Sequence, residues 1–132
     1  MRAVAAGSQH LLGVRVLLVE DHEDTRDIYA HILGAEGAHV IAAASARDAA
    51  SLLDNADVVV TDVGLPGEDG IWLLAQARER AAHVPVIGVS GWVAAQDARL
   101  AQAAFDVLFL KPLDPWRLCE EVAAVLHSRL PH

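Results

Sequence analysis

Five short apolar runs punctuate the chain at fairly even intervals: VRVLLV at 14–19, HVIAA at 39–43, VVVT at 58–61, VPVIGV at 84–89 and VLFL at 107–110. Their length and β-branched content predict strands. Between them, larger apolar residues recur at helical spacing around Ile28, Ile32 and Leu33, then Leu52 and Leu53, then Ile71, Leu74 and Ala75. Residues 92–104 predict a fourth, alanine-rich helix with Leu100 as its main large aliphatic, and therefore the least firmly anchored element. Leu118, Val122, Val125, Leu126 and Arg129 predict a last helix that packs one face inward and ends before Pro131. Ser45 with Asp48 three residues on has the spacing of a capping box, and Asp114 followed by Pro115 is a cap and first-turn pair. Strands alternating with helices imply crossover connections and a parallel sheet.

Composition narrows this pattern to one architecture. A chain of 132 residues is one domain, and with 54% hydrophobic residues but no run of membrane-spanning length, the apolar excess must fill a heavily buried interior. The expected fold is α/β: a doubly wound, five-stranded parallel sheet with helices on both faces, in the flavodoxin-like order 2-1-3-4-5. Ten Lys and Arg against eighteen Asp and Glu give a net charge of −8, with no basic stripe for nucleic-acid phosphates. The single cysteine, Cys119, rules out an internal disulfide and reads as a small buried hydrophobe in a cytoplasmic protein. Residues 1–13, MRAVAAGSQHLLG, read as a loosely ordered leader rather than a signal peptide, because Ser8, Gln9 and His10 interrupt the apolar stretch. The domain proper is placed at 14–130.

The chemistry stands at the ends of the strands. The first run ends in Glu20-Asp21, the third in Asp62, the fourth in Ser90 and the fifth in Lys111. In a parallel sheet these ends share one edge, and ligands bind there where the strand order reverses, between strands one and three. Three carboxylates and one ammonium leave a net charge of −2, which a divalent cation relieves. Oxygen donors suit Mg2+ or Mn2+ and disfavour zinc. A cation held by carboxylates beside a lysine and a hydroxyl suits a phosphoryl group, and Asp62, central and followed by a Gly- and Pro-containing loop, is the expected nucleophile.

VLLVEDH at 16–22, VVVTDVGLPGEDG at 58–70, VIGVSG at 86–91 and FLKP at 109–112 resemble the signature of response-regulator receiver domains of two-component signalling. The resemblance covers about residues 14 to 130. It implies that Asp62 accepts a phosphoryl group from a phosphohistidine on a sensor histidine kinase or phosphotransfer protein. It further implies that Asp21 binds Mg2+ directly with Glu20 helping through water, and that Asp62 and the carbonyl of Gly64 complete the protein ligands. Lys111 would contact a phosphoryl oxygen, Ser90 would hydrogen-bond the phosphoryl group and move toward it, and the Lys111-Pro112 bond would be cis. On this reading the chain is a monomer or weak homodimer that changes its affinity for a downstream partner, with no membrane or nucleic-acid contact. It is a signalling switch that assists its own phosphorylation and dephosphorylation rather than an enzyme.

The chain departs from the family at three places. The position three before the lysine, usually aromatic and mobile in the family, is Leu108; Phe109 points to the opposite face of the strand and reads as core. Trp92 and Gly64 stand where family members carry polar side chains that guide a hydrolytic water, and Trp92 is expected to cover the phosphoaspartate or to cap the fourth helix. Trp72 and Trp116 read as packing residues or part of a partner surface. The seven histidines, at 10, 22, 31, 39, 83, 127 and 132, show no helical metal-binding pair and are assigned to the surface. Glu68 and Asp69 belong to the loop or first turn of the third helix, with Glu68 placed to lean over a metal as an alternative. Two rival functions remain: a pseudo-receiver that works by binding alone, and a Mg2+-dependent phosphohydrolase of the haloacid-dehalogenase kind, which would need an aspartate where Gly64 stands.

Overall fold

The computed structural model describes residues 10–91 and 94–128. Along the chain run β1 (Arg15–Val19), α1 (Glu23–Ala35), β2 (His39–Ala43), α2 (Ala46–Ala50), β3 (Val58–Asp62), α3 (Gly70–Arg80), β4 (Val86–Ser90), β5 (Val107–Leu110) and α4 (Pro115–Ser128). The strands form one parallel sheet in the order β2-β1-β3-β4-β5. This is the doubly wound arrangement expected from the alternating pattern, with the order reversing between β1 and β3.

Side chains alternate across the pleat, so β1 to β4 each feed two cores, whereas β5 feeds one through Val107 and Phe109. Leu17, Val19 and Val59 pack with Leu73, Leu74 and Ala77 of α3 and Ala46, Ala49 and Ala50 of α2. Val16, Leu18, Val58, Val60, Ile87 and Val89 pack on the other face with Tyr29 and Leu33 of α1 and Leu118, Cys119 and Val122 of α4. Every residue of β3 and β4 is buried, which is why both read as unbroken apolar runs rather than alternating ones.

The caps follow local chemistry. Ser45 accepts from the Asp48 N–H at 3.1 Å, and Asp114 Oδ1 accepts from the Trp116 N–H at 2.9 Å. Asp69, placed in the loop or first turn, is the N-cap of α3 and accepts from the Trp72 N–H at 3.0 Å.

Three elements differ from expectation. The second helix stops after Ala50, and Leu53–Asn55 form a separate 3-10 turn. The fourth helix is not continuous: 3-10 turns cover Ala94–Gln96 and Ala98–Gln102, separated by Asp97, whose side chain turns back to accept from the Arg99 N–H. Alanine favours helix, but most helical stability in proteins comes from packing, and Leu100 is the one large aliphatic buried here among the described residues of that segment. Finally, residues 10–13 are not a loose leader. They form a turn in which the Leu11 N–H donates to the Glu36 carbonyl at 2.9 Å and the Leu11 side chain is fully buried. Gly37, at φ +101°, lets the end of α1 meet this turn; a Cβ there would lie 2.9 Å from Leu12 Cα.

Candidate functional site

Register brings the expected residues to one edge. Val19 pairs with Thr61, so Glu20 stands level with Asp62 one step on; Asp62 pairs with Val89, and Ser90 pairs with Leu110, directly before Lys111. The Lys111 N–H donates to the Ser90 carbonyl at 2.9 Å, and the Lys111-Pro112 bond is cis. Gly70 allows α3 to start against the end of β3: a Cβ there would be 2.5 Å from the Asp62 carbonyl oxygen and 2.7 Å from Val63 Cα. The backbone under Asp62 is therefore clamped between strand and helix.

The carboxylate of Asp62 is 8% exposed and held at both oxygens. Oδ2 accepts from Lys111 Nζ at 3.1 Å, and Oδ1 accepts from the Gly64 N–H at 3.1 Å. Lys111 Nζ also lies 3.5 Å from Glu20 Oε1, so one ammonium serves two buried carboxylates. Burial alone would lower the Lys111 pKa, but the hydrogen bond and charge of Asp62, with those of Glu20, outweigh it and hold the ammonium above its ordinary value. Tyr29 of α1 feels the same charges. Burial pushes its phenol up, Lys111 opposes that, and Glu20 and Asp62 add to it. Ser90 is fully buried and its hydroxyl donates to the Gly91 carbonyl at 3.0 Å.

Glu20 is held from three sides. Its N–H donates to the Ala43 carbonyl, its Oε2 accepts from the His22 N–H at 3.1 Å, and its carbonyl accepts from Arg26 Nη1 at 3.0 Å. His22 Nδ1 stands 3.3 Å from Glu20 Oε2 and 3.6 Å from Asp21 Oδ1. Among the described residues, the three ligand atoms within 4.8 Å of one another come from Glu20, Asp21 and His22, and Asp62 is not in that group. All six described histidines are exposed, as expected, yet one of them borders the site; its adjacency to the acid pair in the sequence was the signal that a surface assignment passed over.

Other expectations resolve differently. Glu68, the alternative placed to lean over a metal, is engaged by Arg47, whose Nη2 lies 2.6 Å from Oε1. Leu108 is 44% exposed and Leu110 58%, whereas Phe109 packs inward with the core shared by α1 and α4. Leu108 and Phe105 instead approach Gly88 of β4, where an added Cβ would lie 3.0 Å and 2.9 Å from their side chains. Trp72 of α3 packs against the core, and Trp92 lies outside the described residues. Among the described residues no helix is long and apolar enough to cross a membrane.

Comparison with known proteins gives the same constellation a family. The model of the response regulator receiver domain matches residues 16–123. The chain is 34% identical over 115 residues to an uncharacterized 14.6 kDa protein of Leptolyngbya boryana, covering 83% of this chain and 88% of that one. It is 33% identical over 124 residues to the response regulator protein FleR of Pseudomonas aeruginosa, covering 91% of this chain and 26% of FleR. This chain thus spans less than half the length of several curated relatives it matches. A CheY-like receiver domain structure from Methanospirillum hungatei superposes with a TM-score of 0.79 at 26% identity, covering 88% of this chain and 95% of that one. The matched segment carries all four strand-end groups, and the chain belongs to the response regulator receiver domain family.

Proposed function

We propose that the chain is a phosphoacceptor in a two-component phosphorelay, with Asp62 taking a phosphoryl group from a phosphohistidine of a sensor histidine kinase or phosphotransfer protein. The observation that carries this reading is the shared contact of Lys111 Nζ with Asp62, at 3.1 Å, and Glu20, at 3.5 Å. A lysine so placed compensates a carboxylate that must stay ionised to attack, and then meets the anionic oxygens that arrive. In the transfer, an Asp62 oxygen forms a bond to phosphorus as the phosphorus–nitrogen bond of the donor breaks, and the imidazole leaves neutral after taking up a proton.

The donor set fits a hard divalent cation: Asp21, Asp62 and the Gly64 carbonyl as ligands, with Glu20 acting through water, are all oxygens and carry more negative charge than Lys111 offsets. Mg2+, or Mn2+ in its place, would neutralise charge on the transferring phosphoryl oxygens when bound. Lys111 would then orient a phosphoryl oxygen. Ser90, whose hydroxyl now spends its proton on the neighbouring Gly91 carbonyl, would rotate to donate to the phosphoryl group and draw the segment after β4 with it. The chain promotes its own phosphorylation and dephosphorylation once per cycle and is not a turnover enzyme. Its output is a change in affinity for a protein partner in the cytoplasm, as a monomer or weak homodimer without nucleic-acid contact.

Leu108 favours a second reading, an interaction module in which phosphorylation is poorly transmitted, because its exposed aliphatic chain replaces an aromatic that would move with Ser90. Titration with beryllofluoride and Mg2+, followed by tryptophan fluorescence, separates the two. The phosphoacceptor reading expects a saturable change in wild type and none in Asp62→Asn; an identical response in both contradicts it.

A further inference from the structure

We infer that His22 gives the acid pair a nitrogen ligand, so that Glu20, Asp21 and His22 together take a borderline divalent ion, Zn2+ in particular, in competition with Mg2+ for Asp21. His22 Nδ1 lies 3.3 Å from Glu20 Oε2 and 3.6 Å from Asp21 Oδ1. Three donors bound tetrahedrally to one ion at about 2.1 Å stand about 3.4 Å apart, so the nitrogen is already at coordinating separation from both carboxylates, and one donor atom from each of the three residues lies within 4.8 Å of the others. Asp62, by contrast, lies outside this compact group, with its oxygens engaged by Lys111 and the Gly64 N–H.

Both halves of the triad are prepared for this. The Glu20 side chain is 3% exposed, and its orientation is fixed by the His22 N–H on one oxygen and Lys111 on the other. His22 is 73% exposed, which leaves an ion a path in and a position for water. The ring is not committed to the helix: His22 is the N-cap residue of α1, yet its side chain makes no capping hydrogen bond and its Nδ1 meets Glu20 instead. Charge supplies the attraction, since one ammonium serves both Glu20 and Asp62 and Asp21 adds a further carboxylate beside them.

Selectivity follows from donor type. Mg2+ takes hard oxygens in a near-octahedral shell and gains little from an imidazole, whereas zinc binds two carboxylates, one histidine and a water in its usual tetrahedral way. Because Asp21 would serve both ions, occupancy by Zn2+ removes a Mg2+ ligand. That consequence for phosphorylation rests on the phosphoacceptor reading; the binding itself does not.

The test is calorimetric titration of the full chain with ZnCl2, with and without excess Mg2+, for wild type, His22→Ala and Asp21→Asn. We expect one site per chain that weakens at least about tenfold in His22→Ala and in Asp21→Asn, and that Mg2+ displaces, while Mg2+ affinity in His22→Ala changes by less than about twofold. Zinc binding that is unchanged in His22→Ala, that falls in His22→Ala together with Mg2+ affinity, or that ignores Mg2+ overturns the inference. If Asp62 accepts no phosphoryl group with Mg2+ while this zinc behaviour is seen, the phosphoacceptor reading fails and the zinc site stands.

Discussion

Replacing Lys111 with methionine removes the charge and keeps most of the side-chain volume. Asp62 Oδ2 and Glu20 Oε1 approach the same Nζ at 3.1 and 3.5 Å, so in its absence two buried carboxylates remain with no cation between them. Their oxygens lie within about 7 Å of each other, and at an effective dielectric of roughly 20 like charges at that range repel by about 2 kcal/mol. Removing one partner of a fully buried pair costs about 3–5 kcal/mol, and the partial exposure of Lys111 places this case at or below the lower end. The expected loss is therefore about 2–3 kcal/mol, read from urea unfolding at neutral pH without divalent ions. Glu20→Gln in the same background should recover at least about 1 kcal/mol, because it removes the uncompensated charge. A Lys111→Met cost below about 0.5 kcal/mol, or strict additivity with Glu20→Gln, would refute the claim that this lysine holds two acids.

Gly70→Ala forces a Cβ to within 2.5 Å of the Asp62 carbonyl oxygen, so it should cost about 1–3 kcal/mol in urea and slow beryllofluoride binding as α3 shifts away from β3. Leu11→Ala should cost about 2–5 kcal/mol by the same assay, marking the turn at 10–13 as part of the domain. The Arg15 side chain hydrogen-bonds Asp57 and holds its carboxyl below the ordinary value of 3.8. A depressed carboxylate pKa stabilises above that value and the benefit is lost as pH falls through the folded-state pKa, so Arg15→Gln should flatten the acid limb of stability below about pH 4 and leave its shape near neutrality unchanged. The raised Lys111 pKa acts at the other end: its stabilisation is complete below 10.5 and fades as pH rises past it, a loss Lys111→Met should not show.

The sheet was legible because its signal is dense. Each strand is an apolar run with β-branched residues, and the polar group that ends four of the five marks the functional edge without any knowledge of contacts. The segment at 94–102 was misread because alanine content reports propensity, whereas continuity of a helix depends on anchors that only packing reveals, and Asp97 supplies a competing local hydrogen bond. Leu11 was missed for the opposite reason: its polar neighbours disguise a residue buried against the end of α1. At the site, the residue types and their edge could be read directly. The sharing of one ammonium by Glu20 and Asp62, and the approach of His22 to Glu20 and Asp21, are properties of rotamers and distances that spacing along the chain does not encode.

The central claim, that Asp62 is the phosphoacceptor, is tested most directly by incubating the chain with acetyl phosphate and Mg2+ and locating the product by mass spectrometry. The account predicts one added phosphoryl group per chain, mapped to the peptide bearing Asp62, released by hydroxylamine, and absent in Asp62→Asn or after chelation of the divalent ion. A phosphoryl group that maps elsewhere, or one that persists in Asp62→Asn, would contradict it.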